Sequence, residues 1–160
     1  MDAFSFACDA MLGGLARWLR FAGFDVAFDP LLGDAGLAAR ARAEGRWLLT
    51  RDRRLAAAAG PRVVLLRAGG TAALVAELRS RLPLAADPAR FLSRCSRCNG
   101  ELAAAPAEAV RDRVPPYVAA HAARFLVCAG CGKVYWRGTH PERIERTLRA
   151  LFGDPGITPG

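Results

Sequence analysis

The stretch Phe4-Ser-Phe-Ala-Cys8-Asp9-Ala-Met-Leu-Gly-Gly-Leu-Ala-Arg-Trp-Leu-Arg20-Phe-Ala-Gly-Phe-Asp-Val-Ala-Phe28 reads as strand, helix, strand. Phe4 to Cys8 is a short apolar run closed by Asp9. Leu12, Leu15, Ala16, Leu19 and Ala22 then recur at the spacing of one helix face, and Gly23 supplies a stop. Arg17 and Arg20 are expected on the other side of that helix. Asp25 to Phe28 forms the second strand, followed by the loop Asp29 to Gly33.

The same alternation continues outward. A helix is expected from about Ala35 to Glu44, with Asp34 as its N-cap and Gly45 as its stop. Trp47 to Thr50 reads as a third strand, Arg51-Asp-Arg-Arg-Leu-Ala opens a short helix, and Arg62 to Leu66 is a fourth strand. Leu74, Val75, Leu78 and Leu82 mark one face of a helix over about 71–82. Strands alternating with helices imply a mostly parallel sheet with right-handed crossovers.

The character changes after Pro83 and the Asp87-Pro88 turn, so residues 1–90 read as one α/β domain and 91–160 as a second, smaller unit. That unit holds two Cys-x-x-Cys pairs, separated by a segment carrying Pro106, Pro115 and Pro116. Thr139-His-Pro-Glu142 is a capping box for a last helix bearing Ile144, Leu148 and Leu151. The tail from Gly153 to Gly160 is expected to be loose.

The 160 residues carry a net charge of +8. Lys133 is the single lysine. Thirteen basic residues face nine acidic ones before residue 91 and ten face six after it, so neither part is a polybasic tail. Such a charge favours polyanions such as RNA, although an Ala-, Arg-, Gly- and Pro-heavy composition also follows from genomic base bias. No apolar run approaches the roughly 18 residues of a spanning segment. No basic region precedes an apolar stretch at the amino terminus, and the chain reads as cytoplasmic.

Cys95-Ser-Arg-Cys98-Asn-Gly and Cys128-Ala-Gly-Cys131-Gly form two knuckles. Each grips a metal with two thiolates from one tight turn, and two such turns complete a tetrahedron. Cys95, Cys98, Cys128 and Cys131 are thus expected to hold one structural Zn²⁺ in a zinc ribbon, with the intervening residues as a hairpin excursion. A thioredoxin-like redox pair is disfavoured, because two pairs are present and neither follows a first βαβ strand. Cys8 reads as a buried structural thiol, and His121 and His140 are surplus to the metal.

Asp9, Asp34 and Asp52 each follow a strand or its loop, so a parallel sheet would bring all three to its carboxyl edge. Converging carboxylates repel one another unless a cation sits between them, and Mg²⁺ or Mn²⁺ suits oxygen donors and can activate water. Each aspartate also precedes a helix and is an equally good N-cap. With Asp29 nearby and Arg17, Arg51, Arg53 and Arg54 available for phosphate, the two readings stand level. A phosphotransfer aspartatase would want a second Asp where Met11 stands. A receiver domain needs a lysine that this half lacks, and no nucleotide-binding glycine loop occurs.

The run Asp9 to Arg20 resembles the opening of the Mut-seven C-terminal RNase domain family, PIN-like proteins with an appended zinc ribbon. The similarity continues through Gly23-Phe-Asp-Val26, Asp34, Leu48-Leu-Thr-Arg-Asp-Arg53, both knuckles and Cys131-Gly-Lys-Val-Tyr-Trp-Arg-Gly-Thr-His140. It implies a PIN-like three-layer α/β/α domain followed by the ribbon, and metal-dependent ribonuclease activity with Asp9, Asp34 and Asp52 at the acidic positions. Arg17, Arg20, Arg51 and Arg54 are the candidate phosphate contacts. The chain departs from the family at Arg54, where an acidic residue is common, and so lacks a fourth carboxylate. The reading is a Mg²⁺- or Mn²⁺-dependent endoribonuclease acting on RNA. Its rivals are a non-catalytic RNA-binding or ribosome-associated adaptor and a protein-interaction module built on the ribbon.

Overall fold

The computed structural model describes residues 4–136 and 139–153, without the side chains of 139–141. Strands β1 (Ser5–Cys8), β2 (Asp25–Phe28), β3 (Trp47–Thr50) and β4 (Val63–Leu65) form one sheet in the order β2-β1-β3-β4, every pair parallel. Between them run α1 (Gly13–Phe21), α2 (Asp34–Ala43) and α3 (Arg53–Ala58), and α4 (Thr71–Arg81) follows β4.

Successive strand residues face opposite layers. Phe6, Cys8, Val26, Leu49 and Val64 pack with Leu15, Leu19, Val75 and Leu78 of α1 and α4. Ala7, Ala27 and Leu48 pack on the other side with Leu37, Ala38, Ala41 and Leu55 of α2 and α3. The fold is therefore the expected α/β/α sandwich. Gly23 ends the first helix turn with φ +92°, and a Cβ there would lie 2.6 Å from the Arg90 carbonyl oxygen. Glycine is required both for the left-handed backbone and for that close approach.

Beyond the sheet, β5 (Leu102–Ala105), β6 (Phe125–Cys128) and β7 (Val134–Trp136) form an antiparallel sheet in that order. The segment between β5 and β6 is more than the expected hairpin excursion, since it holds α5 (Ala107–Val110) and α6 (Pro116–His121). Pro106 caps α5 and Pro116 opens α6, because a missing N–H costs nothing in a first helical turn. Val110, Val114 and Phe125 make the small core beneath them.

Helix α7 (Thr139–Phe152) returns to the first domain. Leu148 and Phe152 are buried in the core shared by α1 and α4, and the Phe152 ring lies 6.0 Å from that of Phe24. Arg79 of α4 donates to the Leu151 carbonyl. Helix α7, which follows the ribbon in the chain, thus completes the core between α1 and α4. The capping role of Thr139, the place of His140 and the tail from residue 154 lie outside the described residues. No helix of the described residues is long and apolar enough to cross a membrane.

A fragment ending at residue 90 exposes the seat of Leu148 and Phe152, each large-side-chain loss costing about 2–5 kcal/mol, against a typical total of about 5–15 kcal/mol. It is expected to lose cooperative thermal unfolding. A fragment that melts as sharply and as high as the full chain would show that α7 contributes little.

Candidate functional site

The four Sγ atoms of Cys95, Cys98, Cys128 and Cys131 all lie within 4.8 Å of one another. Cys95 and Cys131 are 3.7 Å apart and Cys98 and Cys128 are 3.3 Å apart, too far for any disulfide. A tetrahedron with ~2.3 Å Zn–S bonds has edges of ~3.8 Å, so the donor set fits one Zn²⁺ with no open position. Backbone N–H groups of Gly100, Gly130 and Cys131 point at the sulfurs. A Cβ on Gly100 would meet Cys128 Sγ at 2.7 Å, so the knuckle can close only around glycine. Burial pushes the Cys95 thiol up, but the Tyr135 hydroxyl and the N–H groups of Cys98 and Arg97 outweigh it and bring it down to about 6.

The first knuckle docks on the edge strand β2 through two polar side chains. Arg20 is only 4% exposed; its Nε and Nη2 donate to the Val26 carbonyl at 3.1 and 2.8 Å, and its Nη1 donates to the Ser96 and Arg97 carbonyls. Asn99, in the left-handed region at φ +71°, accepts from the Val26 N–H and donates to Asp25. Burial raises the Asp25 carboxyl, yet hydrogen bonds from Arg46 and Asn99 more than offset it and hold it below the usual carboxylate range. Arg20 is therefore no phosphate contact. It lies on the buried side of α1 because the knuckle, more than seventy residues away in sequence, covers it.

Arg20→Met keeps the stem and leaves three carbonyls without their donor, each unpaired group costing about 1–3 kcal/mol. The urea midpoint is expected to fall, and proteolysis within 91–136 to speed up. An unchanged midpoint would mean water replaces the guanidinium without loss.

Asp9 sits at the carboxyl end of β1 and is 6% exposed. Its Oδ1 accepts from the Met11 N–H, and its Oδ2 accepts from the Thr50 hydroxyl and from the Arg51 N–H at 3.0 Å. Thr50 Oγ1 in turn accepts from the Asp52 N–H at 2.9 Å, so one buried hydroxyl ties the Asp9 carboxylate to the backbone of Asp52. Asp52 caps α3 with Oδ1 alone, which accepts from the Arg54 and Leu55 N–H groups. Asp34 is exposed. It is the first residue of α2 rather than its cap, because the Leu37 N–H already bonds to the Gly33 carbonyl. Asp29 holds the Leu31 N–H in the preceding turn. Among the described residues the cysteine tetrad is the single group of three or more such ligands that converges, so Asp9, Asp34 and Asp52 do not meet as one three-carboxylate set.

A model of the Mut7-C RNAse domain matches residues 4–148. The chain belongs to that family. No curated protein and no solved structure matches it.

In this Mut7-C RNAse chain the other basic candidates divide. Arg17, Arg53 and Arg54 are exposed. Arg51 spends its guanidinium on the Ala68 and Arg67 carbonyls, tying the end of β3 to the loop before α4. Cys8 is fully buried, and burial, reinforced by the Asp9 charge, pushes its thiol up, so it stays protonated. Thr50 and Asn99 escaped the sequence reading. A hydroxyl ending the buried strand Trp-Leu-Leu-Thr was the available signal for Thr50, and Asn99 offered none beyond its place after a knuckle.

Proposed function

We propose that this chain is a ribonuclease that hydrolyses RNA phosphodiesters at the carboxyl edge of its parallel sheet, with Asp9 and Asp52 at the centre. The observation that carries this reading is the buried Asp9 carboxylate, oriented from both sides and tied through the Thr50 hydroxyl to the backbone N–H of Asp52, in a chain of an RNase domain family.

Mg²⁺ commonly takes one or two carboxylates and completes its shell with water and phosphate oxygens. The carboxylates of Asp9 and Asp52 would supply two hard oxygen donors, with Asp52 Oδ2 outside the cap, which suits that requirement in kind and number. Asp34 is not gathered with them and is left out of the proposed pair. Mg²⁺ or Mn²⁺ held there would supply a water activated for attack on phosphorus. The chain itself orients the carboxylates: Thr50 and the Arg51 N–H fix Asp9, and the cap of α3 fixes Asp52. Arg53 and Arg54, exposed beside Asp52, pair with the scissile phosphate, while Arg51 braces the loop.

The non-catalytic RNA-binding adaptor is favoured by one observation, that Asp9 and Asp52 already serve as caps for the turns that follow them. The discriminating assay incubates single-stranded RNA with the purified protein and Mg²⁺, Mn²⁺ or neither. Cleavage with either ion and none without supports the ribonuclease; RNA bound but never cut supports the adaptor.

A further inference from the structure

A groove of about 490 Å³ opens where the ribbon, the segment 89–96 and helices α1 and α7 meet; it borders the cysteine tetrad through Tyr135, whose hydroxyl contacts Cys95 Sγ, and neither Asp9 nor Asp52 lines it. Arg17, Arg124 and Lys133 stand on its walls with Phe91, Tyr135 and Trp136. The three cations are exposed, and Arg17 and Arg124 have no hydrogen bond or ion pair among the described residues. Lys133 Nζ lies 4.9 Å from the Tyr135 ring centroid, which keeps a cation against an aromatic face. Trp136 is 36% exposed, unusual for so large a ring. Arg94 also lines the groove; one of its amino groups bonds the Asn99 carbonyl, and its Nε is buried without an acceptor. Among the described residues Glu145 is the carboxylate on the wall.

Cations around one exposed indole suit a single-stranded nucleic acid, whose phosphates pair with the cations while an unstacked base lies on the ring. A duplex keeps its bases stacked and offers nothing to Trp136. We infer that this groove is a subsite for a single-stranded RNA segment, its phosphates on Arg17, Arg124 and Lys133 and a base on Trp136. The choice of RNA as the polyanion rests on the proposed ribonuclease reading. Arg17 lies four residues along α1 from Gly13, about 6 Å of helix rise, and Gly13 follows the turn that Asp9 caps. A strand seated in the groove therefore leads along α1 toward the aspartate edge, and the ribbon selects unpaired RNA for it.

The test is fluorescence anisotropy with a short fluorescein-labelled single-stranded oligoribonucleotide, without added divalent ion, on full-length variants whose zinc content matches the parent. Arg124→Glu is expected to weaken binding about tenfold and to lower the log–log salt slope by about 0.7 per phosphate lost. Trp136→Ala is expected to weaken it about tenfold with the slope unchanged, because stacking releases no counterions. Arg111→Glu makes the same charge change on the ribbon outside the groove and should leave binding nearly as in the parent. Unchanged binding by Arg124→Glu and Trp136→Ala, an equal loss with Arg111→Glu, or tighter binding of an acidic peptide than of the RNA would overturn the subsite. A parent that binds through these residues yet cuts no RNA would remove the ribonuclease reading and leave the groove standing. A parent that cuts RNA while the groove variants bind and cut equally well would remove the groove alone.

Discussion

Asp52→Asn should abolish most RNA cleavage while leaving the fold intact. Asp52 caps α3 with Oδ1 alone, and the Asn oxygen can accept the same two N–H groups. The stability change should therefore stay within about 0.5 kcal/mol. The negative charge and the second oxygen vanish, however, and loss of a group that positions the attacking water costs on the order of 10²- to 10⁴-fold in rate. Asp9→Asn is a less clean probe. Asp9 accepts from N–H groups on both oxygens, so an amide in either orientation turns its NH₂ toward the Met11 or the Arg51 N–H. That substitution should cost about 1–3 kcal/mol as well as activity, and its activity loss alone would not separate catalysis from folding. Cleavage by Asp52→Asn at the parent rate, with an unchanged melting curve, would reduce Asp52 to a cap. If the parent itself cuts no RNA with either ion, Arg54, which takes the place of a common acidic residue, is the first position to change. Failure of Arg54→Glu to restore cleavage, with RNA binding intact, would favour the adaptor.

One zinc ion per chain should be found in protein purified without chelator, and Cys131→Ser or Cys98→Ser should release it and melt the ribbon. Both side chains are exposed, so serine removes a ligand without opening a cavity. The ribbon's own core is small, with Val110, Val114 and Phe125 as its buried apolar residues apart from the cysteines. For so small a core the metal-binding free energy, about 10–16 kcal/mol in comparable thiolate sites, is the folding free energy. Hydrogen exchange should become fast across 95–136. The effect should reach the Val26 amide as well, because Asn99 accepts from it. Zinc-free protein with a protected ribbon would end the structural-metal account.

The alternation of strand and helix, and with it the parallel sandwich, was legible along the chain because each rests on local periodicity. Leu12, Leu15, Ala16, Leu19 and Ala22 mark a buried face wherever α1 packs. The knuckles were equally legible, since two thiolates from one turn are a local device, and the pairing of two such turns follows from tetrahedral valence. Only the tertiary structure decided what Arg20, Asp34 and α7 do. Arg20 stands beside Arg17 on a helical wheel, but one is buried and the other exposed because carbonyls of Ser96 and Arg97 fold over the first. The aspartates share a sheet edge by topology, yet convergence to a common ion depends on side-chain reach across α2 and β3, to which no local pattern is sensitive. Helix α7 read as part of the ribbon by proximity in sequence, and it joined the sheet because the α1–α4 cleft offered Leu148 and Phe152 an apolar seat that the small ribbon core lacks.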